Sequence, residues 1–279
     1  MKSSLFRSLW SLHLITPRGF IRLLRCFLHE GITMMAAVRF AARYHANECA
    51  VVSDNQRIDY QDFYAFAKKL SYVLYHEYQL RSGQHVALFC RNHLVSALLL
   101  PALSRLGVNV KLLNTDLSDE QLLQLMSRPF ALFIYDKKLL QVENIDISCP
   151  QVSCESLLET IKEQLLTDNV VLPYITRGGN ISVMTGGSSG NYKEAARQTG
   201  IVQFLPPFFS LLRDLHIDSY RSVLIGLPFY HGFGLATLII SLVMGKKICL
   251  LRHFNAEKVL KIVATERVEV IPMVPAMLA

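Results

Sequence analysis

From residue 47 onward, short runs of aliphatic and β-branched residues alternate with longer stretches in which apolar residues recur every three or four positions. The short runs are ECAVVSD, QHVALFC, VNVKLLN, FALFIYD, NISVMT, SVLIGL, KKICLL and VEVIPMV, and each reads as a strand. Helical spacing covers Tyr60 to Tyr78, His93 to Leu106, Ser118 to Met126, Ile201 to Leu215, Gly234 to Met244 and Ala256 to Thr265. Such alternation builds parallel sheets through crossover helices, so the expected fold class is α/β, with layered, parallel-rich sheets. The most polar and least patterned stretch, residues 141–180, is the expected boundary between two α/β units. No internal repeat or low-complexity segment interrupts the pattern.

Residues 1–46 read as amphipathic helices in front of this pattern. Thr16 followed by Pro17 is a good helix start, after which Arg18, Arg22, Arg25 and His29 recur at helical spacing opposite Phe20, Leu23, Leu24, Phe27 and Leu28. The segment lacks an uninterrupted apolar centre followed by a small-residue cleavage site, so a signal peptide is not expected. A helix packed on the core with a solvated basic face is the favoured reading. Peripheral contact of residues 1–30 with an anionic membrane is the alternative.

Half of the 279 residues are hydrophobic (51%), enough to bury a substantial core and to exclude intrinsic disorder. No apolar run reaches the length of a spanning helix, and FGLATLIISLVM is the best candidate, so a soluble, cytoplasmic protein is expected. The net charge of +7 suits nucleic acid, an anionic membrane or a phosphorylated ligand. Basic residues do not interleave with aromatics on one surface, which argues against nucleic acid. Cys26, Cys49, Cys90, Cys149, Cys154 and Cys249 form no C-x-x-C pair and read as buried thiols in a reducing compartment, with no metal site expected.

The chemistry-bearing stretch is VMTGGSSGNYK, which follows the strand NISVMT directly. Phosphate binding needs close backbone N–H groups, hydroxyl donors and a cation. Glycines 186, 187 and 190 allow the close approach, Thr185, Ser188 and Ser189 supply hydroxyls, and Lys193 is a mobile point charge. The Walker spacing fails because Asn191 and Tyr192 separate Gly190 from Lys193, and no dinucleotide fingerprint is present. Composition alone leaves a surface hairpin and a phosphate loop equally open.

The order of residues favours the second. Thr-Gly-Gly-Ser-Ser-Gly-Asn-Tyr-Lys resembles the phosphate-loop signature Thr-Ser-Gly-Thr-Thr-Gly-x-Pro-Lys of the adenylate-forming superfamily, the AMP-binding enzymes that include acyl-CoA synthetases. RIDYQDFYAFAKKLSYVL, SGQHVALFCRNH, SRLGVNVKLLNTDLSDEQL, LPFYHGFGL and IPMVPAML are similar to further elements of that family, in the family's order. The LNT segment and the run YKEAARQTGIVQFLPPFFSLL look most like the fatty-acid CoA ligase branch.

The resemblance implies a ligase that joins a carboxylic acid to ATP, with Mg, and passes the acyl group from an adenylate to coenzyme A. It assigns Thr185, Gly186, Gly187, Ser188, Ser189, Gly190 and Lys193 to the β- and γ-phosphates of ATP, where they act by positioning and charge rather than as nucleophiles. Gly186 stands where the family has serine and Tyr192 where it has proline, and both changes loosen the loop. His231, with Gly232 and Gly234, matches the element that lines the acyl pocket, a hydrogen-bonded helix-capping histidine being the alternative. Phe229, Tyr230 and Phe233 read as packing groups.

The family's metal-binding glutamate, ribose-binding aspartate and carboxyl-terminal catalytic domain match nothing in the 279 residues. The resemblance therefore implies the incomplete amino-terminal portion of a ligase over residues 47–279, inactive alone. Adenylation of an aryl or amino acid is one alternative. A non-catalytic remnant or nucleotide- or acyl-binding module is another.

Overall fold

The computed structural model describes residues 9–10, 15–54, 56–139, 147–163, 172–183, 209–210 and 214–277. Among them two sheets enclose a layer of helices. The first sheet has the order β2-β1-β9-β8, formed by β1 (Cys49–Ser53), β2 (Gln56–Asp59), β8 (Ser222–Ile225) and β9 (Lys247–Leu250). Only the β1–β2 hairpin is antiparallel. The second sheet is wholly parallel, in the order β6-β5-β3-β4-β7: β3 (His85–Phe89), β4 (Asn109–Leu112), β5 (Leu132–Tyr135), β6 (Gln151–Ser153) and β7 (Ile181–Val183).

The helices are α1 (Pro17–Glu30), α2 (Met34–Tyr44), α3 (Tyr60–His76), α4 (Leu94–Leu106), α5 (Asp119–Met126), α6 (Cys154–Glu163), α7 (Gly232–Val243) and α8 (Ala256–Glu266). The period-two alternation of the strands sets the layers. Val86 and Leu88 of β3 face the principal core with α2, α3, α4 and α7, whereas Ala87 and Phe89 face Leu122, Leu125 and Met126 of α5. In the other sheet Val223, Ile225, Ile248 and Leu250 join the same principal core, while Leu224 and Cys249 pack with Val259 of α8. All thirteen residues of α4 are buried, as expected of a helix that is apolar on nearly every side. Gly107 ends it at φ +70, a left-handed cap that suits glycine, and the chain turns directly into β4.

Local chemistry explains the element ends. Thr16, Thr33, Asp59 and Asn255 each accept a backbone N–H at a helix start, and Ser118 with Gln121 forms a capping box on α5. Glu30, buried at the end of α1, accepts from Arg39 Nη1 (2.9 Å), Tyr64 Oη (2.6 Å) and Arg105 Nε (2.8 Å), which ties α1 to α2, α3 and α4. Three donors on one carboxylate are what a buried charge requires.

Several expectations need correction. VEVIPMV forms no strand: Val270 makes one isolated bridge to Val223, and Pro272 has no N–H with which to continue the ladder. QRID was not anticipated as a strand, nor QVS, nor the helix Cys154–Glu163 within the stretch that looked unpatterned. The helix expected over Ile201 to Leu215 lies mainly outside the described residues. Both sheets take strands from either side of residues 141–180, since β7 completes the second sheet and β1 pairs with β9. A division at that stretch therefore does not separate the sheets. No described helix is long and apolar enough to cross a membrane.

Candidate functional site

The carboxyl ends of the parallel strands of both sheets converge, the usual place for a ligand crevice in open α/β sheets. A cleft of about 160 Å³ is lined by Arg91 and Asn92 beyond β3, Thr115 and Asp116 beyond β4, Gly226 and Tyr230 beyond β8, and Arg252 and His253 beyond β9. Asn92 joins the two sheets: its Nδ2 donates to Leu227 O at 2.7 Å and its Oδ1 accepts from Phe229 N at 3.0 Å. That turn presents Tyr230, whose hydroxyl lies 3.4 Å from both Thr115 Oγ1 and Asp116 Oδ2. Burial raises the Tyr230 phenol pKa and the Asp116 carboxylate adds to it, so the phenol stays protonated at neutral pH. Asn114 Oδ1 accepts from Asp116 N at 3.0 Å and shapes the facing loop.

A second cleft of about 260 Å³ adjoins it, lined by Asp54, Gln56, His93, Val95, Cys154, Glu155, Leu158 and Arg252. Arg252 lines both, donating from Nε to Asp54 at 2.9 Å with Nη1 3.7 Å from Asp136. Beneath it, His93 Nε2 donates to Asp136 Oδ1 at 2.5 Å. His93 Nδ1 accepts from Val95 N and Ser96 N at the start of α4. The Asp136 carboxylate favours an imidazolium, but the cap bonds need the lone pair on Nδ1, and the neutral Nε2–H tautomer satisfies all three contacts. Burial opposes the charge on Asp136, yet His93, Arg91 N–H and Arg252 outweigh it and hold its pKa below the usual value.

Cys90, Asp136 and Cys154 place ligand atoms within 4.8 Å of one another, all buried, with the two sulfurs 3.2 Å apart. Burial raises both thiol pKa values, Cys154 well above its ordinary range, so neither is an activated nucleophile. The expectation of buried thiols holds for Cys26, Cys90, Cys154 and Cys249, while Cys49 and Cys149 are half-buried.

Thr185, Gly186, Gly187, Ser188, Ser189, Gly190 and Lys193 lie outside the described residues. Strand β7, which precedes them, ends at Val183 beside Leu112, so the chain leaves the sheet at the carboxyl edge that also carries Thr115 and Asp116. His231 is the N-cap residue of α7 but makes no side-chain cap bond; its exposed ring sits 4.7 Å from that of Tyr230 and lines neither cleft. Gly232 has open space where a side chain would be, whereas Gly234 lies against the carbonyls of Pro228 and Leu227. Phe229 and Tyr230 are buried as packing groups should be, and Phe233 is exposed. His93, Asp136 and Arg252 were not singled out from the sequence, and Asn92 entered only as part of the motif SGQHVALFCRNH. An acid closing the apolar run FALFIY and the polar RNH after HVALFC were the available signals.

A family model described as AMP-binding enzyme matches residues 38–279. The chain belongs to that family. Curated relatives include the 2-succinylbenzoate-CoA ligase of Bacillus licheniformis, 26% identical over 243 residues that cover 82% of this chain and 47% of the relative. The ligase of the same name from Bacillus subtilis is 25% identical, with 82% and 46% covered. The chain thus spans about half the length of these curated relatives. Among solved structures, o-succinylbenzoate CoA synthetase from Bacillus subtilis, in complex with its acyl-adenylate intermediate, superposes with a TM-score of 0.73 at 21% identity over 87% of this chain and 62% of that one. A putative long-chain-fatty-acid CoA ligase from Rhodopseudomonas palustris gives 0.74 at 17%, covering 90% and 65%. The fold is that of the amino-terminal domain of adenylate-forming CoA ligases. The fatty-acid branch read from LNT and from the run YKEAARQTGIVQFLPPFFSLL is not supported by the curated relatives, whose acid is 2-succinylbenzoate.

Proposed function

We propose that this chain is the amino-terminal portion of an ATP-dependent acid-CoA ligase that forms an acyl-adenylate, with an aromatic carboxylic acid as substrate. The observation that carries it is the crevice at the carboxyl ends of both sheets, which holds Arg91, Arg252, Thr115 and Tyr230 beside the edge where β7 leads into Thr185–Lys193. In this reading the loop holds the triphosphate and the carboxylate substrate attacks the α-phosphorus, so the chain's donors contribute orientation and charge. Arg91 has a buried Nε without a hydrogen-bond partner among the described residues, which fits an anionic ligand in the crevice. The names of the curated relatives favour an aromatic acid over a fatty acid, and coenzyme A as the acyl acceptor.

A synthetase structure with ATP and magnesium ion is among those this chain resembles. Here the described residues fit ATP's charge but not magnesium. Their one close ligand group, Cys90, Asp136 and Cys154, is rich in soft sulfur, whereas magnesium selects oxygen.

Calorimetry with ATP tests the reading. Binding should weaken about tenfold or more in Lys193→Ala, the scale of a lost charge-assisted hydrogen bond. Ser188→Ala should weaken it less. A non-hydrolysable adenylate analogue of 2-succinylbenzoate should bind more tightly than its fatty-acyl counterpart. A folded chain that binds neither ATP nor an adenylate analogue would overturn the proposal.

A further inference from the structure

Helix α1 presents three different faces rather than two. At 100° per residue, Gly19, Leu23, Cys26, Phe27 and Glu30 form one sector, and these pack on Ala36 and Phe40 of α2 or enter the Glu30 network. Next to that sector and turning away from it stand Phe20, Ile21, Leu24 and Leu28, which are 60%, 51%, 49% and 63% exposed. The third sector, between the apolar stripe and the core, holds exposed Arg18, Arg22, Arg25 and His29. The expected single apolar face against the core is therefore split, and its larger half points away from the protein.

A contiguous apolar stripe in water is unfavourable and marks a docking surface. The charge beside it selects what docks. Arg22, Arg25, His29, Arg39 and Arg43 line a cleft of about 530 Å³ between α1 and α2. Arg39 is paired with Glu30 and Arg22 stacks on Tyr44 at 4.7 Å, while Arg18, Arg25 and Arg43 have no carboxylate partner among the described residues. Residues 1–29 contain five Lys and Arg and no Asp or Glu. Membership of the AMP-binding family does not account for the apolar stripe and basic sector of α1, because α1 precedes the matched residues 38–279.

We infer that α1 docks the protein on an anionic phospholipid surface, lying in the interface plane. Phe20, Ile21, Leu24 and Leu28 enter the acyl boundary, and Arg18, Arg25 and Arg43 meet lipid phosphates. A protein partner would need its own acidic, apolar groove to match both sectors. A lipid interface supplies anionic headgroups and acyl chains side by side along the whole helix.

The test is sedimentation of the purified chain with phosphatidylcholine vesicles, with and without equimolar phosphatidylglycerol. Binding is expected to the anionic vesicles, weakening steeply with added salt. Leu24→Ser combined with Leu28→Ser should reduce partitioning about tenfold or more, and Arg18→Glu combined with Arg25→Glu should do the same. Both pairs are exposed, so unfolding midpoints should stay unchanged and separate docking from folding. Equal binding to neutral vesicles, no binding to either, or binding indifferent to both double variants would overturn the inference. So would a lipid-free dimer in analytical ultracentrifugation that both double variants dissociate, which would assign the face to a second copy.

Discussion

Asn92 is the side chain through which the two sheets hold the crevice in register, and replacing it tests that role. It is 2% exposed, and its amide meets one carbonyl and one N–H of the Leu227–Phe229 turn, both belonging to buried residues. Asn92→Ala removes both partners and leaves two buried backbone groups without a bond. Each such orphan costs about 1–3 kcal/mol, so a loss of about 2–6 kcal/mol is expected, at the lower end where water reaches the turn. Asn92→Asp discriminates further: it keeps the acceptor for Phe229 N–H but sets a carboxylate against Leu227 O, so at pH 7 it should be no more stable than the alanine variant. Urea unfolding followed by far-ultraviolet circular dichroism measures the change, with Gln124→Ala on the exposed side of α5 as a control expected within about 0.5 kcal/mol. Hydrogen exchange at residues 227–231 should quicken alongside, because Tyr230 is presented by that turn. A loss for Asn92→Ala below about 1 kcal/mol, indistinguishable from the control, would refute the claim that this amide holds the crevice together.

The glycines of the His231 element should behave oppositely. Gly234→Ala places a Cβ 2.4 Å from Pro228 O and 2.6 Å from Leu227 O and should cost more than about 2 kcal/mol in thermal unfolding, whereas Gly232→Ala meets open space and should stay within about 0.5 kcal/mol. Equal losses would contradict the packing described. Burial lowers the Lys246 ammonium pKa to about 8, against the opposing pull of Asp218 and Glu269. Between pH 8 and about 10.5 the unfolded chain then holds the proton that the folded chain has lost, so stability should rise with pH relative to Lys246→Met. Parallel pH curves for the two proteins in that window would rule this out.

Periodicity along the chain was enough to read the α/β class, most of the strands and the helix starts, because strand alternation and helix caps are local properties. Thr16, Ser118 and Asn255 meet backbone groups three residues away, and Val86 and Ala87 must face opposite sides of any sheet that contains them. The family was legible too, since the order of short motifs survives in a chain 26% identical to a curated relative. Strand partnership was not legible. Nothing local to QRID or to Cys49–Ser53 indicates that β1 lies beside β9, almost two hundred residues away, because that pairing depends on which apolar faces can be buried together. The crevice depended on the same non-local choice: Asn92 reaches the Leu227–Phe229 turn, and Arg252 reaches Asp136, only when both sheets present their carboxyl ends to one another. The split of α1 was likewise decided by tertiary structure. Its sequence shows how many apolar residues it carries, but only the limited width of the α2 surface determines that Leu23 and Phe27 are covered while Phe20, Leu24 and Leu28 are left facing outward.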